Sequence, residues 1–398
     1  INGSAVANTA TIGSFTIPLM KSVGYRPHFA GAVEATASTG GQVMPPVMGA
    51  AAFVMAEFLG MSYTDIMIAA VVPAVLYYLA LWCMVHFEAR KLGLSGLPHD
   101  QLPQFWPTLK KSGHLMLPIV GIIALLLTGM TPLYAAFFTI FMTIAISYVQ
   151  KETRLSTKGL IKALESGARG ALGVAIACAV VGFIVGVSSL TSLGLTFGAN
   201  ILAFSHNDLL LTLILTMITC IILGMGLPTT ACYIVGATIA APALIKLGVL
   251  PIVAHFFVFY YACLSNLTPP VCLAAFTAAG MAGASPYQTG WTATRLAIAG
   301  FLVPFLAVYS PMLLFAGTFG TLELVEALIT ATIGVIGLSA ALENFFLRNC
   351  TIIERGVLLV SALCMMVPGL ITDLIGIGGF ILIYFLQKRS LKSTGITA

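Results

Sequence analysis

Residues 39–49 read "TGGQVMPPVMG" and residues 263–273 read "CLSNLTPPVCL"; each sits inside an otherwise apolar run. The two Pro-Pro-Val triplets lie 224 positions apart, and the same offset relates Pro18 to Pro242, Gly24 to Gly248 and Pro27 to Pro251. Proline removes a backbone donor and glycine costs helix stability, so both copies break a helix at the same place. Broken helices at corresponding positions of two membrane repeats are a sequence marker for a transporter's binding site.

The composition sets the solvent. Of 398 residues, 59% are hydrophobic and 8% are charged, against roughly 25% charged in soluble domains. The expected fold class is therefore an all-α integral membrane protein. Apolar runs at 65–89, 114–128, 131–149, 160–188, 208–224, 288–316, 320–342 and 356–386 read as membrane helices, with 114–128 short of the roughly 20 residues a crossing needs. The net charge of +5 comes from basic loops, which leaves no patch for nucleic acid. Eight scattered cysteines without a CxxC pair read as small core hydrophobes.

Outward from the breaks, "NGSAVANTATIGS" at 2–14 reads as the tip and second arm of a re-entrant hairpin, and "GMGLPTT" at 224–230 as the tip of a second. Such backbone survives at membrane depth only where protein or a water cavity satisfies it. Arg90, Lys91, Lys110, Lys111, Lys151, Arg154, Lys158 and Lys162 fall in short loops, which places them, with Lys21 and Arg26, on the cytoplasmic side. An inverted repeat then needs an odd number of crossings between Gly24 and Gly248, and "SLTSLGLTFGANILAFSH" at 189–206 is the candidate for the missing one; parallel repeats are the alternative. The expected units are 1–91 (the later part of repeat one), 92–130 (an interfacial segment and connecting helix), 131–318 (repeat two) and 319–398 (an appended membrane region). The partners of 160–224 in repeat one would precede Ile1, so the chain reads as N-terminally truncated.

A helix break leaves carbonyls without donors on one side and bare N–H groups on the other. Carbonyls and neutral oxygens suit a small hard cation such as sodium, while N–H ends suit a carboxylate. The first break offers Ser38, Thr39, Gly40, Gly41 and Gln42, faced by Asn2, Gly3, Ser4 and Asn8; the second offers Ser265, Asn266 and Thr268, faced by Gly226, Thr229 and Thr230. The competing reading is that small polar residues only allow close helix contact in lipid, and two polar breaks at equal positions weigh against it.

The stretches "NGSAVANTATIGSFTIPLMKSVGY", "EATASTGGQVMPPVMGAAAF", "GMGLPTTACYIV" and "LSNLTPPVCLAAF" resemble the large membrane subunit of tripartite ATP-independent periplasmic (TRAP) transporters, in particular fused permeases that work with TAXI-type receptors. The resemblance spans about 1–318, and the tail resembles the extra C-terminal region of those permeases. It implies an inverted-repeat elevator-type transporter with two re-entrant hairpins and two broken helices, in the bacterial inner membrane. Sodium would drive import of a small organic acid anion, dicarboxylate-like or related, delivered by a periplasmic TAXI-type solute-binding protein. By motif match, sodium would lie among Asn2, Gly3, Ser4, Asn8, Gly40, Gly41, Val43 and Pro45 at the first break, and Gly226, Thr229, Thr230, Ser265, Asn266 and Thr268 at the second. Substrate would meet Ser4, Asn8, Ser38, Thr39 and Thr230. Asn2 departs from the Ser-Gly-Ser tip of many relatives, and without the scaffold or small-subunit part of the same fused chain the fragment is not expected to transport alone.

Glu34, inside the half-helix before the first break, is a candidate for proton or substrate handling, because an ionisable group in a membrane segment is costly unless used. Arg295 reads as a snorkelling side chain and His255 as a packed neutral one. A proton-coupled organic anion transporter, an ion channel or another membrane protein are the alternatives. No Ser/His/Asp set, HExxH or Walker A motif supports an enzyme, and no cofactor beyond Na+ is expected.

Overall fold

The computed structural model describes residues 3–98, 102–365 and 369–393. Repeat one comprises α1 (Ala5–Val23), α2 (Pro27–Gly40), α3 (Ala50–Leu59) and α4 (Tyr63–Leu92). Connecting helices follow: α5 (Phe105–Ser112), α6 (Leu117–Leu127), α7 (Pro132–Ser147), α8 (Thr157–Leu190), α9 (Leu193–Phe204) and α10 (Leu209–Leu223). Then come α11 (Thr229–Ile239) and α12 (Ala241–Lys246), α13 (Pro251–Leu264), α14 (Leu273–Ala282) and α15 (Pro286–Tyr309). A tail of α16 (Thr321–Glu343), α17 (Ile352–Cys364) and α18 (Leu370–Ser393) completes the chain. All eight cysteines are free thiols.

The recurring prolines and glycines have one structural cause. Gly24 is left-handed at the end of α1, where its N–H meets the Lys21 carbonyl at 3.1 Å and the next N–H meets Met20 at 3.1 Å. Gly248 closes α12 in the same way, on Ile245 at 3.0 Å and, through Val249, on Leu244 at 3.2 Å. Left-handed backbone costs glycine nothing, and Pro27 and Pro251 then open the next helix at a position that needs no donor. Beyond the breaks the offset falls by one: Gly60 and Gly283 cap α3 and α14, because α14 starts one position early.

Equivalent helices pass each other in opposite directions. Near the end of α4, Lys91 reaches Glu343 at 3.5 Å, and Arg295, early in α15, reaches the same carboxylate at 3.4 Å. Further back along α4 and further on along α15, Tyr77 fills the space over Gly300. Tyr77 also donates to the Thr36 carbonyl at 2.8 Å, while Tyr261 of α13 pairs with Phe301 of α15. Contacts are exchanged between the repeats: α1 packs on α14, and α11 packs on α3.

Among the described residues seven helices are long and apolar enough to cross a bilayer. The run at 114–128 is not short: residues 105–127 form 23 residues of continuous helix, with a 3-10 turn at 113–116. The stretch 189–206 contains a 12-residue helix, α9, about 18 Å long and below a full crossing, set off from α8 by left-handed Ser192. The run 356–386 is two helices, α17 and α18, packed on each other. Arg295, expected to snorkel, is held by the fully buried Glu343 of α16.

A methyl group on Gly300 would come within 2.5 Å of the Tyr77 ring. Gly300→Ala is therefore expected to lose about 1–3 kcal/mol of stability, although a helical Gly→Ala change ordinarily gains up to about 1 kcal/mol. Thermal denaturation in detergent decides the sign, and a raised midpoint would contradict the antiparallel contact.

Candidate functional site

The two breaks meet at a cavity of ≈ 270 Å³. Gly3 and Ser4 line it from the tip before α1, and Gln42 from the first break. Gly226, Pro228, Thr229 and Thr230 line it from the second tip, Asn266 from the second break, and Val174 from α8.

Four helices begin at this cavity: Ala5 of α1, Ala50 of α3, Thr229 of α11 and Leu273 of α14 all face it. Only α1 has a side-chain cap, with Ser4 accepting from the Ala7 N–H at 3.4 Å; α3, α11 and α14 have none. Each N-terminus carries about half a positive charge and unpaired N–H donors. Among the described residues no charged side chain lines the cavity, so the fixed charge nearest to it is that of the dipoles at these helix starts, an arrangement that suits an anion. The side-chain oxygen of Gln42, a residue 2% exposed that lines the same cavity, has no hydrogen-bond partner among the described residues.

The breaks themselves are matched. The Gly49 N–H donates to the Gln42 carbonyl at 2.7 Å, and the Ala274 N–H to the Asn266 carbonyl at 3.2 Å; Gln42 and Asn266 are equivalent positions. Asn266 also donates through Nδ2 to Thr229 Oγ1 at 3.1 Å, tying the second break to the second tip.

Glu34 lies behind the cavity, 5% exposed. Asn8 Nδ2 donates to Ser38 Oγ at 2.9 Å, and Ser38 Oγ donates to Glu34 Oε1 at 2.9 Å. Thr16 donates to Glu34 Oε2. The carboxylate thus joins α1 to α2, across a gap kept narrow by Gly13, where a methyl would sit 3.1 Å from Glu34 Cγ. Repeat two has no counterpart of this network: Asn8, Thr16, Glu34 and Ser38 correspond to Cys232, Ala240, Val258 and Ala262.

The remaining expected residues divide cleanly. Asn8, Ser38 and Thr39 do not line the cavity; Thr39 bonds back to the Ala35 carbonyl at 2.9 Å. Ser265 bonds to Ala262 at 2.8 Å and Thr268 to Leu264 at 2.9 Å, both within their own helix end. Gly40 lies against Tyr77, the Gly41 N–H meets the Ala37 carbonyl at 3.3 Å, Val43 is buried, and Pro45 belongs to the turn between α2 and α3. Asn2 is outside the described residues. Sequence reasoning missed Thr16, whose place depends on how the consecutive helices α1 and α2 pack, and Val174 and the starts of α3 and α14, which depend on how helices distant in the chain meet.

Residues 1–322 match the family described as the DctM component of the tripartite ATP-independent periplasmic transporter. The chain belongs to this family. It is 25% identical over 327 residues to an isethionate TRAP transporter permease protein, DctMQ, of Oleidesulfovibrio alaskensis, covering 80% of this chain and 50% of that one. It is 26% identical to a putative TRAP transporter large permease protein of Haemophilus influenzae (68% and 63% covered). It is 24% identical to the sialic acid TRAP transporter large permease protein SiaM of Vibrio cholerae (73% and 67% covered). The chain therefore spans half to two thirds of the length of these relatives. As a TRAP permease it is a multi-pass membrane protein of a transporter and not an enzyme.

Hydrogen bonds to a charged group contribute about 1.5–3 kcal/mol. Thr16→Val and Ser38→Ala should each lower stability by that order, and each should cost clearly less in a Glu34→Gln background, where a neutral amide replaces the carboxyl group. Denaturation of the three single and two double variants, with the unmodified protein, completes two cycles, and full additivity in both would remove the network.

Proposed function

We propose that this TRAP subunit carries small organic acid anions, each bound among the four helix N-termini of the central cavity. The observation that carries the reading is that convergence, with no basic side chain in the lining among the described residues. A cavity of ≈ 270 Å³ suits a small ligand, at the low end of ligand pockets. The relatives named for isethionate and sialic acid handle organic acids. Delivery by a periplasmic receptor follows from the family, and the motifs of the tips and breaks favour a receptor of the TAXI type with a fused permease chain.

Sodium is the proposed coupling ion. Gln42 and Asn266, just beyond the ends of α2 and α13, bring neutral oxygens to the cavity, and a cation bound there would hold the tips against the breaks. The antiparallel relation of α4 and α15 supports an inverted repeat about an axis in the membrane plane, with α10–α11 and the tip of α1 as re-entrant hairpins. Such a repeat, in the bacterial inner membrane, supports elevator-type alternating access.

A second reading rests on Glu34, a buried carboxylate present in one repeat only: protons in place of sodium. Uptake by the complete permease with its receptor separates the two. Under an imposed sodium gradient, Asn266→Ala and Thr229→Ala should lose sodium dependence while receptor docking is kept; unchanged sodium dependence in both would contradict sodium sites at the breaks. Glu34→Gln should still concentrate substrate on sodium. Failure under sodium with exchange intact, and with a pH gradient driving only the unmodified protein, would favour protons.

A further inference from the structure

A second cavity, of ≈ 480 Å³, opens where α2 and α15 begin and α4 ends, well away from the breaks. Arg26, His28, Lys91 and Arg295 line it, with Glu88 as the one acidic side chain in the lining among the described residues. Two of these cations are already engaged: Lys91 pairs with Glu88 at 3.4 Å and with Glu343 at 3.5 Å, and Arg295 with Glu343 at 3.4 Å. Arg26 is exposed and makes no ion pair among the described residues. The three fixed cations outnumber the two carboxylates by one.

The backbone adds to that charge. Neither α2 nor α15 has a side-chain cap at its start, and residues of both first turns, His28 and Gln288, line the opening, so the positive ends of two helices add to its charge. Trp291, 63% exposed, lines the cavity, and Tyr287, 62% exposed, lies one turn before it. Exposed aromatic residues on the first turns of a membrane helix mark headgroup depth. Arg26 and Lys91 lie on the side that the basic loops assign to the cytoplasm, where anionic lipids are concentrated.

We propose that this cleft binds the phosphate of an anionic phospholipid of the cytoplasmic leaflet. The phosphate would be held by Arg26 and Arg295 and by the bare start of α2, with Trp291 beside the glycerol region. A zwitterionic lipid would bring its ammonium group to the same cations and bind less well. The bound lipid would join α2, the half-helix that ends at the first break, to α15 and, through Glu343, to the tail helix α16.

Native mass spectrometry of the purified chain with phosphatidylglycerol or phosphatidylcholine tests this. Phosphatidylglycerol is expected to be retained preferentially, and Arg26→Gln to weaken that retention about fivefold, the share of one interfacial cation, with phosphatidylcholine unaffected. Arg26 makes no ion pair among the described residues, so this variant should fold; Lys388→Gln, towards the end of α18, is the control and should leave retention unchanged. Equal retention of both lipids, or no effect of Arg26→Gln, would overturn the site. Displacement of phosphatidylglycerol by millimolar inorganic phosphate would overturn the lipid assignment in favour of a free anion.

Discussion

Two helices stop inside an apolar fold, at Gly40 and at Leu264, and the backbone groups released there have to find partners. An unpaired peptide group in a hydrocarbon-like interior costs several kcal/mol, so each break commits the surrounding structure. Part of the cost is met locally, by the bonds from Gly49 to the Gln42 carbonyl and from Ala274 to the Asn266 carbonyl. The rest is met by bringing both breaks and both tips to one polar cavity. The exchange of α1 onto α14 and α11 onto α3 follows, since neither half can enclose the other's break without lending it a helix. The same constraint that shapes the fold therefore makes the site.

The site is symmetric in backbone and asymmetric in side chains. Four helix starts surround the cavity in equivalent pairs, whereas Glu34, with Asn8, Thr16 and Ser38, belongs to one half alone. In repeat two the same positions hold Cys232, Ala240, Val258 and Ala262, which pack as apolar groups. Glu34 holds Asn8 and Ser38 in place behind the wall, and does not itself line the cavity.

Much of this was legible in the chain because it is written in prolines and glycines. Gly24 with Pro27 and Gly248 with Pro251 fix helix ends by local backbone geometry, so the repeat and its breaks could be read before any contact was known. Of the tip and break residues singled out in the chain, Gly3, Ser4, Gly226, Thr229, Thr230 and Asn266 line the cavity. Asn8, Ser38 and Thr39 share the composition and not the place, because a helix turns 100° per residue and composition carries no rotation. Thr16 and Glu343 were illegible for another reason: the pairing of Thr16 with Glu34 depends on how the consecutive helices α1 and α2 are rotated against each other, and Glu343 meets Lys91 and Arg295 only after helices remote in sequence have packed. Apolar runs likewise gave helices and not their ends, as with 356–386, which is two helices.

The central claim is that the cavity is electropositive without a basic side chain. A cysteine placed at Ser4, which is exposed and lines the cavity, can be modified by two methanethiosulfonates of similar size, one sulfonated and one quaternary ammonium. Rates are read from the modified peptide by mass spectrometry and referenced to a free thiol, which cancels intrinsic reactivity. The account predicts that the anionic reagent reacts faster, on the order of tenfold, as for a ligand focused by local charge. Faster reaction of the cationic reagent would contradict it.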